Sequence, residues 1–262
     1  MRPHRSLIET RHGIMHVRSL GVRSKRAPLV LLHMSPLSGA MFADIAPLLA
    51  RKRQVIIPDR IGFGQSDPPL RTLTIADYAE STLDLIDGME IKDFDLLGMH
   101  TGSCEAIEIA LMRPDQTRRV GIVGIPAVEP DELNQFKQSC IPPEATLSGN
   151  HLEWFWNLWM RVVPEKQRHL THEWTIEHLN SVDAWRTFHA AFDYPIIQQI
   201  LKLKIPLMVI AARDEIWEMT QRALPHLPSS VNVLELSTIK SDALFTIAPQ
   251  VLATGIEQFL NN

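Results

Sequence analysis

The segment Leu96-Leu97-Gly98-Met99-His100-Thr101-Gly102-Ser103-Cys104-Glu105-Ala106 constrains the fold of this chain more than any other. Residues 93–97 alternate and then run apolar into the turn, and residues 101–112 follow with helical apolar spacing until Pro114 stops them. A strand must therefore reverse sharply into a helix at Gly98-Met99-His100-Thr101-Gly102. Glycines on either side of a strained middle residue let the two backbones pack closely, and the middle side chain is held out into a site. Such a turn ordinarily presents a hydroxyl or thiol nucleophile. Here it presents an imidazole.

The rest of the chain supplies a setting for that turn. Strand-like runs at 13–18, 29–32, 54–58, 94–99, 119–124, 207–212 and 231–236 alternate with helical patterns near 41–50, 75–88, 101–112 and 249–260. This is the signature of an α/β protein whose mostly parallel sheet is covered on both faces, with two antiparallel strands expected to open it. Between Pro126 and Ile205 the strand signals vanish. A helix-prone stretch replaces them, carrying Trp154, Trp156, Trp159, Trp174 and Trp185 of the 6 tryptophans, together with His151, His169, His172, His178 and His189. It reads as a helical cap over 127–205, inserted into a core made of 1–126 and 206–262. The 262 residues, 45% of them hydrophobic, suffice for one large core and a small cap.

Composition excludes several function classes. The net charge of -4, with basic residues scattered, leaves no electrostatic footprint for nucleic acid or an anionic membrane. No apolar targeting segment follows Met1–Arg5 and no run is long enough to span a bilayer, so a cytoplasmic chain is expected. The 2 cysteines, Cys104 and Cys140, show no metal-type spacing and are expected to be reduced and structural. No repeat or low-complexity linker is present. The expected partner is a small-molecule substrate or ligand, with a homodimer left open, and no cofactor is called for.

Several motifs, in order, resemble those of the α/β-hydrolase superfamily, and the resemblance covers nearly the whole chain. Leu31-Leu32-His33-Met34-Ser35-Pro36-Leu37-Ser38-Gly39 is similar to the family's oxyanion loop after the third strand. Pro58-Asp59-Arg60-Ile61-Gly62-Phe63-Gly64-Gln65-Ser66-Asp67 is similar to its Asp-x-x-Gly-x-Gly-x-Ser turn. The elbow, the cap and Ile210-Ala211-Ala212-Arg213-Asp214 follow, the last where the family keeps its triad acid. The resemblance implies an eight-stranded, mostly parallel sheet with helices on both faces and an inserted helical cap.

The chain departs from that family at its chemically active positions. His100 stands at the nucleophile position. Counting back from Pro249 by the family's His-x4-Glu-x-Pro ending puts Asp242 at the position of the triad base, and no histidine follows His226. Met34 replaces the usual glycine of the oxyanion loop and adds an adaptable apolar side chain to the pocket floor. Without a hydroxyl or thiol at the elbow, seryl-ester chemistry is lost. The imidazole is long enough to occupy the space of the missing triad histidine and to reach Asp214 or Asp242. A His-carboxylate dyad would fix its tautomer and raise its pKa from roughly 6.5.

The leading expectation is therefore an enzyme with His100 as base or nucleophile and Asp214 and Asp242 as orienting carboxylates. Backbone N–H groups of Ser35 and Thr101 would serve as oxyanion donors. Met34, Met99, Trp154, Trp159 and Arg60 are expected to line a pocket for a small, largely apolar substrate. The reaction would be hydrolysis of an activated ester or lactone, or proton-transfer chemistry of the lyase, cyclase or isomerase type. A non-catalytic ligand-binding protein is the alternative, and a metal site built from His100, Asp214 and Asp242 is a third reading. Each residue also has a bland role open to it: His100 as pocket filler, Asp214 and Asp242 as loop caps, Arg60 in an ion pair, and the tryptophans as core. Ser103 and Cys104 fall in the first turn of the helix, where packing is the expected role.

Overall fold

The computed structural model describes residues 1–181 and 183–261. Its centre is an eight-stranded sheet: β1 His4–Thr10, β2 Gly13–Leu20, β3 Leu29–Leu32, β4 Val55–Pro58, β5 Phe94–Met99, β6 Thr117–Val123, β7 Leu207–Ala212 and β8 Asn232–Leu236. The order is β1-β2-β4-β3-β5-β6-β7-β8. The hairpin β1–β2 and the pair β2–β4 are antiparallel, and every later pair is parallel. Strands β3, β4, β5 and β7 are buried along their whole length, as their apolar runs require when both faces are covered, and β6 is buried from Val120 onward.

Alternation sorts each strand's side chains to two cores. Leu29, Leu31, Ile57 and Leu97 join one cluster, and Val30, Leu32, Ile56 and Leu96 join the other, on the opposite face. The helices that cover these faces start and stop on local signals. Among them are α1 Ala46–Leu49, α2 Ile75–Gly88 and α3 Thr101–Met112. Thr74 and Asp77 form a reciprocal capping box at the start of α2. The helix expected over 41–50 divides into a 3-10 turn, Gly39–Phe42, and the single α turn of α1. Pro47 explains the break, because it lacks the N–H that a continuous helix would need there.

From β6 to β7 the described residues contain helices and no strand. These are α4 Leu133–Ser139, α5 Asn150–Val162, α6 Arg168–Asn180, α7 Ala184–Phe192 and α8 Ile196–Ile200. Ile196 and Ile200 belong to the core cluster that includes Val209 and Ile122, so α8 is seated on the sheet at the end of the excursion. Three further helices, α9 Trp217–Ala223, α10 Leu244–Ile247 and α11 Pro249–Asn261, complete the chain. Among the described residues no helix is long and apolar enough to cross a membrane.

Register brings the chemistry together. Leu32 pairs with Gly98, Met99 with Val123, and Val123 with Ile210. The carboxyl ends of β3, β5, β6 and β7 are therefore level, and the loops leaving them open on one edge of the sheet, where open parallel sheets place their ligands.

Candidate active site

The turn from β5 to α3 is as tight as its glycines predict. A Cβ on Gly98 would lie 2.0 Å from the Gly102 carbonyl oxygen, and one on Gly102 would lie 2.2 Å from the Leu32 carbonyl oxygen. Neither distance is physically tolerable, so both positions are restricted to glycine. Between them His100 has φ 49° and ψ -107°, a conformation that strains an L-residue. Its N–H donates to the Val123 carbonyl (3.0 Å) and its carbonyl accepts from Ser103 (2.9 Å), which pins the residue on both sides.

The side chain of His100 meets a carboxylate from the loop after β7. Nε2 lies 3.0 Å from Asp214 Oδ2. An ionised carboxylate only accepts, so the proton of a neutral imidazole sits on Nε2 and Nδ1 is left as the basic nitrogen. Asp214 is itself oriented, because its Oδ1 accepts from the Ile216 N–H (3.2 Å). Burial alone would lower the His100 pKa, but attraction to Asp214, helped by Asp242 and Glu215, raises it above the ordinary value.

Asp242 borders the same site and is differently disposed. Its Oδ1 accepts from the Glu215 N–H (2.9 Å), and it makes no hydrogen bond to His100 among the described residues. Burial, with Glu215 and Asp214 close by, pushes its carboxyl up to about 7 despite the opposing pull of His100. The two aspartates thus divide: Asp214 orients the imidazole, and Asp242 is poised near neutrality in the wall.

A cavity of about 300 Å³ lies over the elbow. Its lining includes Met34, Ser35, His100, Thr101, Trp154, Trp159 and Asp242, which the sequence places there. Two sequence expectations are corrected. Met99 is fully buried in the core beside Leu97 and Val123 and does not reach the cavity. Arg60 is 3% exposed and lies beneath the floor: it donates to Glu105 Oε2 (2.8 Å), the His33 carbonyl (2.8 Å) and Ser35 Oγ (3.0 Å). Its charge is answered inside the protein by Glu105, so it is an internal strut and offers nothing to a substrate.

A third correction concerns the oxyanion donors. The Ser35 N–H donates to Thr101 Oγ1 (2.7 Å), so it is engaged by the chain's own hydroxyl. Thr101 Oγ1 donates in turn to Ser35 Oγ (3.2 Å). The Thr101 backbone N–H, at the start of α3, has no hydrogen-bond partner among the described residues. It is the remaining donor of the pair.

Ser103 and Cys104 are packing residues. Ser103 Oγ donates to the Gly98 and Val123 carbonyls (3.2 and 3.1 Å), and the Cys104 thiol is buried and pushed well above its usual pKa. Cys140, expected to be structural, is a half-buried member of the cavity wall, and burial raises its thiol to about 11. His100, Asp214 and Asp242 do not gather as metal ligands. Among the described residues that spacing is met by His12, Asp77 and Glu80, where Arg71 and Arg11 already pair with the two carboxylates.

Other members of the wall are not singled out by the sequence: Phe188, Phe192, Ile216 and Met219, with Glu215 at an exposed margin. His178 belongs to the group of cap histidines, but nothing in its local sequence separates it from the other four. Only folding of α6 against α5 brings it to the cavity.

Residues 27–218 match the α/β hydrolase fold family. The chain belongs to that family. Over 101 residues it is 32% identical to the 2-hydroxymuconate semialdehyde hydrolase of Pseudomonas sp. (strain CF600), a match covering 37% of this chain and 36% of that protein. It thus spans little more than a third of that relative's length. The enol-lactonase of Burkholderia xenovorans LB400 superposes with a TM-score of 0.82 at 16% identity, covering 98% of this chain and 100% of that one. A hydrolase from Pseudomonas aeruginosa PA01 superposes with a TM-score of 0.82 at 18% identity, covering 99% of each chain. At such identities the structural likeness speaks for the fold, helical cap included.

Proposed function

We propose that this α/β-hydrolase chain is an enzyme of the cytoplasm that uses His100, oriented by Asp214, as a general base on a small, largely apolar substrate. The reaction best supported is hydrolysis of an activated ester or lactone, without a Ser-His-Asp triad. The observation that carries this reading is the 3.0 Å contact of His100 Nε2 with Asp214, which leaves Nδ1 as the basic nitrogen of a ring lining the capped cavity.

In this scheme Nδ1 removes a proton from water as the water oxygen bonds to the substrate carbonyl carbon. The imidazolium so formed is stabilised by Asp214. Charge on the carbonyl oxygen is met by the Thr101 N–H. When the tetrahedral adduct collapses, the C–O bond to the leaving group breaks and the imidazolium returns its proton to the departing oxygen. Ester and water become acid and alcohol. Removing one oxyanion donor typically slows acyl transfer by about 10²–10³-fold, and here Ser35 N–H is already engaged. That favours substrates with good leaving groups, such as enol and aryl esters, over alkyl esters. The names of the semialdehyde hydrolase and enol-lactonase relatives agree with a small, unsaturated substrate. The same base would serve a proton-transfer reaction of the lyase, cyclase or isomerase type on a substrate with an acidic C–H.

The test is turnover of a panel of aryl esters and lactones by the wild type and His100→Ala. Loss of activity in the variant is expected, and unchanged turnover removes His100 from the chemistry. One observation favours a second reading: the engaged Ser35 N–H suits a pocket that binds ligand without chemistry. Ligands that raise the melting temperature while none is consumed, under any condition of the panel, would establish that reading instead.

A further inference from the structure

His178, on α6, is 2% exposed and lines the same cavity as His100. Its imidazole is enclosed by aromatic rings. Phe155 stands edge-on at 4.6 Å between centroids, Trp159 at 5.9 Å and Trp154 at 6.0 Å. Its Nδ1 is buried with no hydrogen-bond partner among the described residues. Trp159 Nε1, in the neighbouring wall, is likewise buried and unpartnered among them.

Leaving a buried polar group unsatisfied costs about 1–3 kcal/mol, and an apolar ring of similar shape would avoid that penalty. A phenylalanine at this position would pack as well against Phe155 and both tryptophans. The imidazole has no fold-level compensation here, unlike His33, whose Nε2 accepts from the Arg60 N–H (2.9 Å). Burial drives the His178 pKa down to about 3, so the ring is neutral at all ordinary pH values and is not an ion-pairing group.

We infer that His178 is a specificity-determining residue of the cap, hydrogen-bonding an uncharged oxygen, hydroxyl or carbonyl, on an aromatic or planar unsaturated substrate. The flanking Trp154 and Trp159 supply the flat apolar walls that such a ring system requires. The charge-neutral imidazole both donates and accepts, so it suits a phenolic or enolic oxygen and does not select for a carboxylate. This deepens the proposed function, since it names the class of substrate that the His100 site would take.

The experiment separates the two. Phenyl acetate and 4-hydroxyphenyl acetate are titrated by cap tryptophan fluorescence into the full chain carrying His100→Ala, so that binding is read without turnover. The hydroxylated probe is expected to bind about tenfold more tightly than the unsubstituted one. Adding His178→Phe should abolish that preference, so that the two probes bind alike, while adding His178→Gln should restore a preference. Equal binding of the two probes in the His178-containing chain, binding of neither, or a preference that survives His178→Phe overturns the inference. None of these outcomes depends on whether His100 is the base.

Discussion

His100 carries the strain of the elbow and, in the proposed function, its chemistry. A residue held outside the favoured backbone regions stores on the order of 1–3 kcal/mol, tolerated only where surrounding structure enforces it. The enforcing groups are the Val123 carbonyl, Ser103 and the two flanking glycines. Asp242 makes a separable prediction. Its folded pKa, about 7, lies above the unfolded value near 3.9, so the folded chain binds the extra proton and loses stability as pH rises from 4 toward 7. Asp242→Asn keeps an oxygen for the Glu215 N–H and removes the buried charge. Thermal melts should show the variant several degrees more stable than wild type at pH 8, with the gap closing near pH 4. A gap independent of pH would show that the carboxyl is not held up by burial.

The elements explain what was legible in the sequence. Glycine spacing and apolar periodicity placed β5, the turn and α3, because that segment's conformation is dictated locally. For Arg60 the sequence leaves a pocket role and an ion pair both open, because the partner that decides between them, Glu105, lies on a different element and only folding makes them neighbours. The engagement of the Ser35 donor is hidden for a similar reason: Thr101 Oγ1, at the start of α3, meets it on the loop after β3 only in the folded chain. His178 had the weakest signal, being one of five histidines in a stretch without strong periodicity. Two predictions belong here. Gly102→Ala forces a Cβ into the Leu32 carbonyl and should leave little folded protein, seen as lost near-ultraviolet circular dichroism. Arg60→Met removes one partner of a buried pair and should cost about 3–5 kcal/mol in urea melts, with Arg60→Met/Glu105→Leu recovering much of it.

At the scale of the whole molecule, core and cap meet at a polar contact as well as an apolar one. Glu177 on α6 accepts from the Ser38 N–H (2.7 Å) and Ser38 Oγ (3.0 Å), on the loop after β3. Trp159 and Trp174 join Met34 and Met41 in one core cluster beside it. Glu177→Ala should therefore loosen the cap without unfolding the sheet. Hydrogen exchange is expected to speed in residues 150–180 and stay unchanged in β5–β7, with KM rising more than kcat falls. Uniformly faster exchange would mean that the contact supports global stability only. Alternating patterns show a mostly parallel sheet and a helical excursion, but they miss the edge strand β1 and say nothing of strand order, and the side-chain composition of the cavity wall depends on how the cap helices pack.

The central claim is that Asp214 holds His100 as a base. The most direct measurement is the pH dependence of kcat/KM for an aryl ester, comparing wild type with Asp214→Asn. Because the His100 pKa is raised and the base must be unprotonated, wild-type activity should rise with pH, with its midpoint above 6.5. In Asp214→Asn the plateau should fall and the midpoint should move to lower pH. The same midpoint in both proteins would contradict the account.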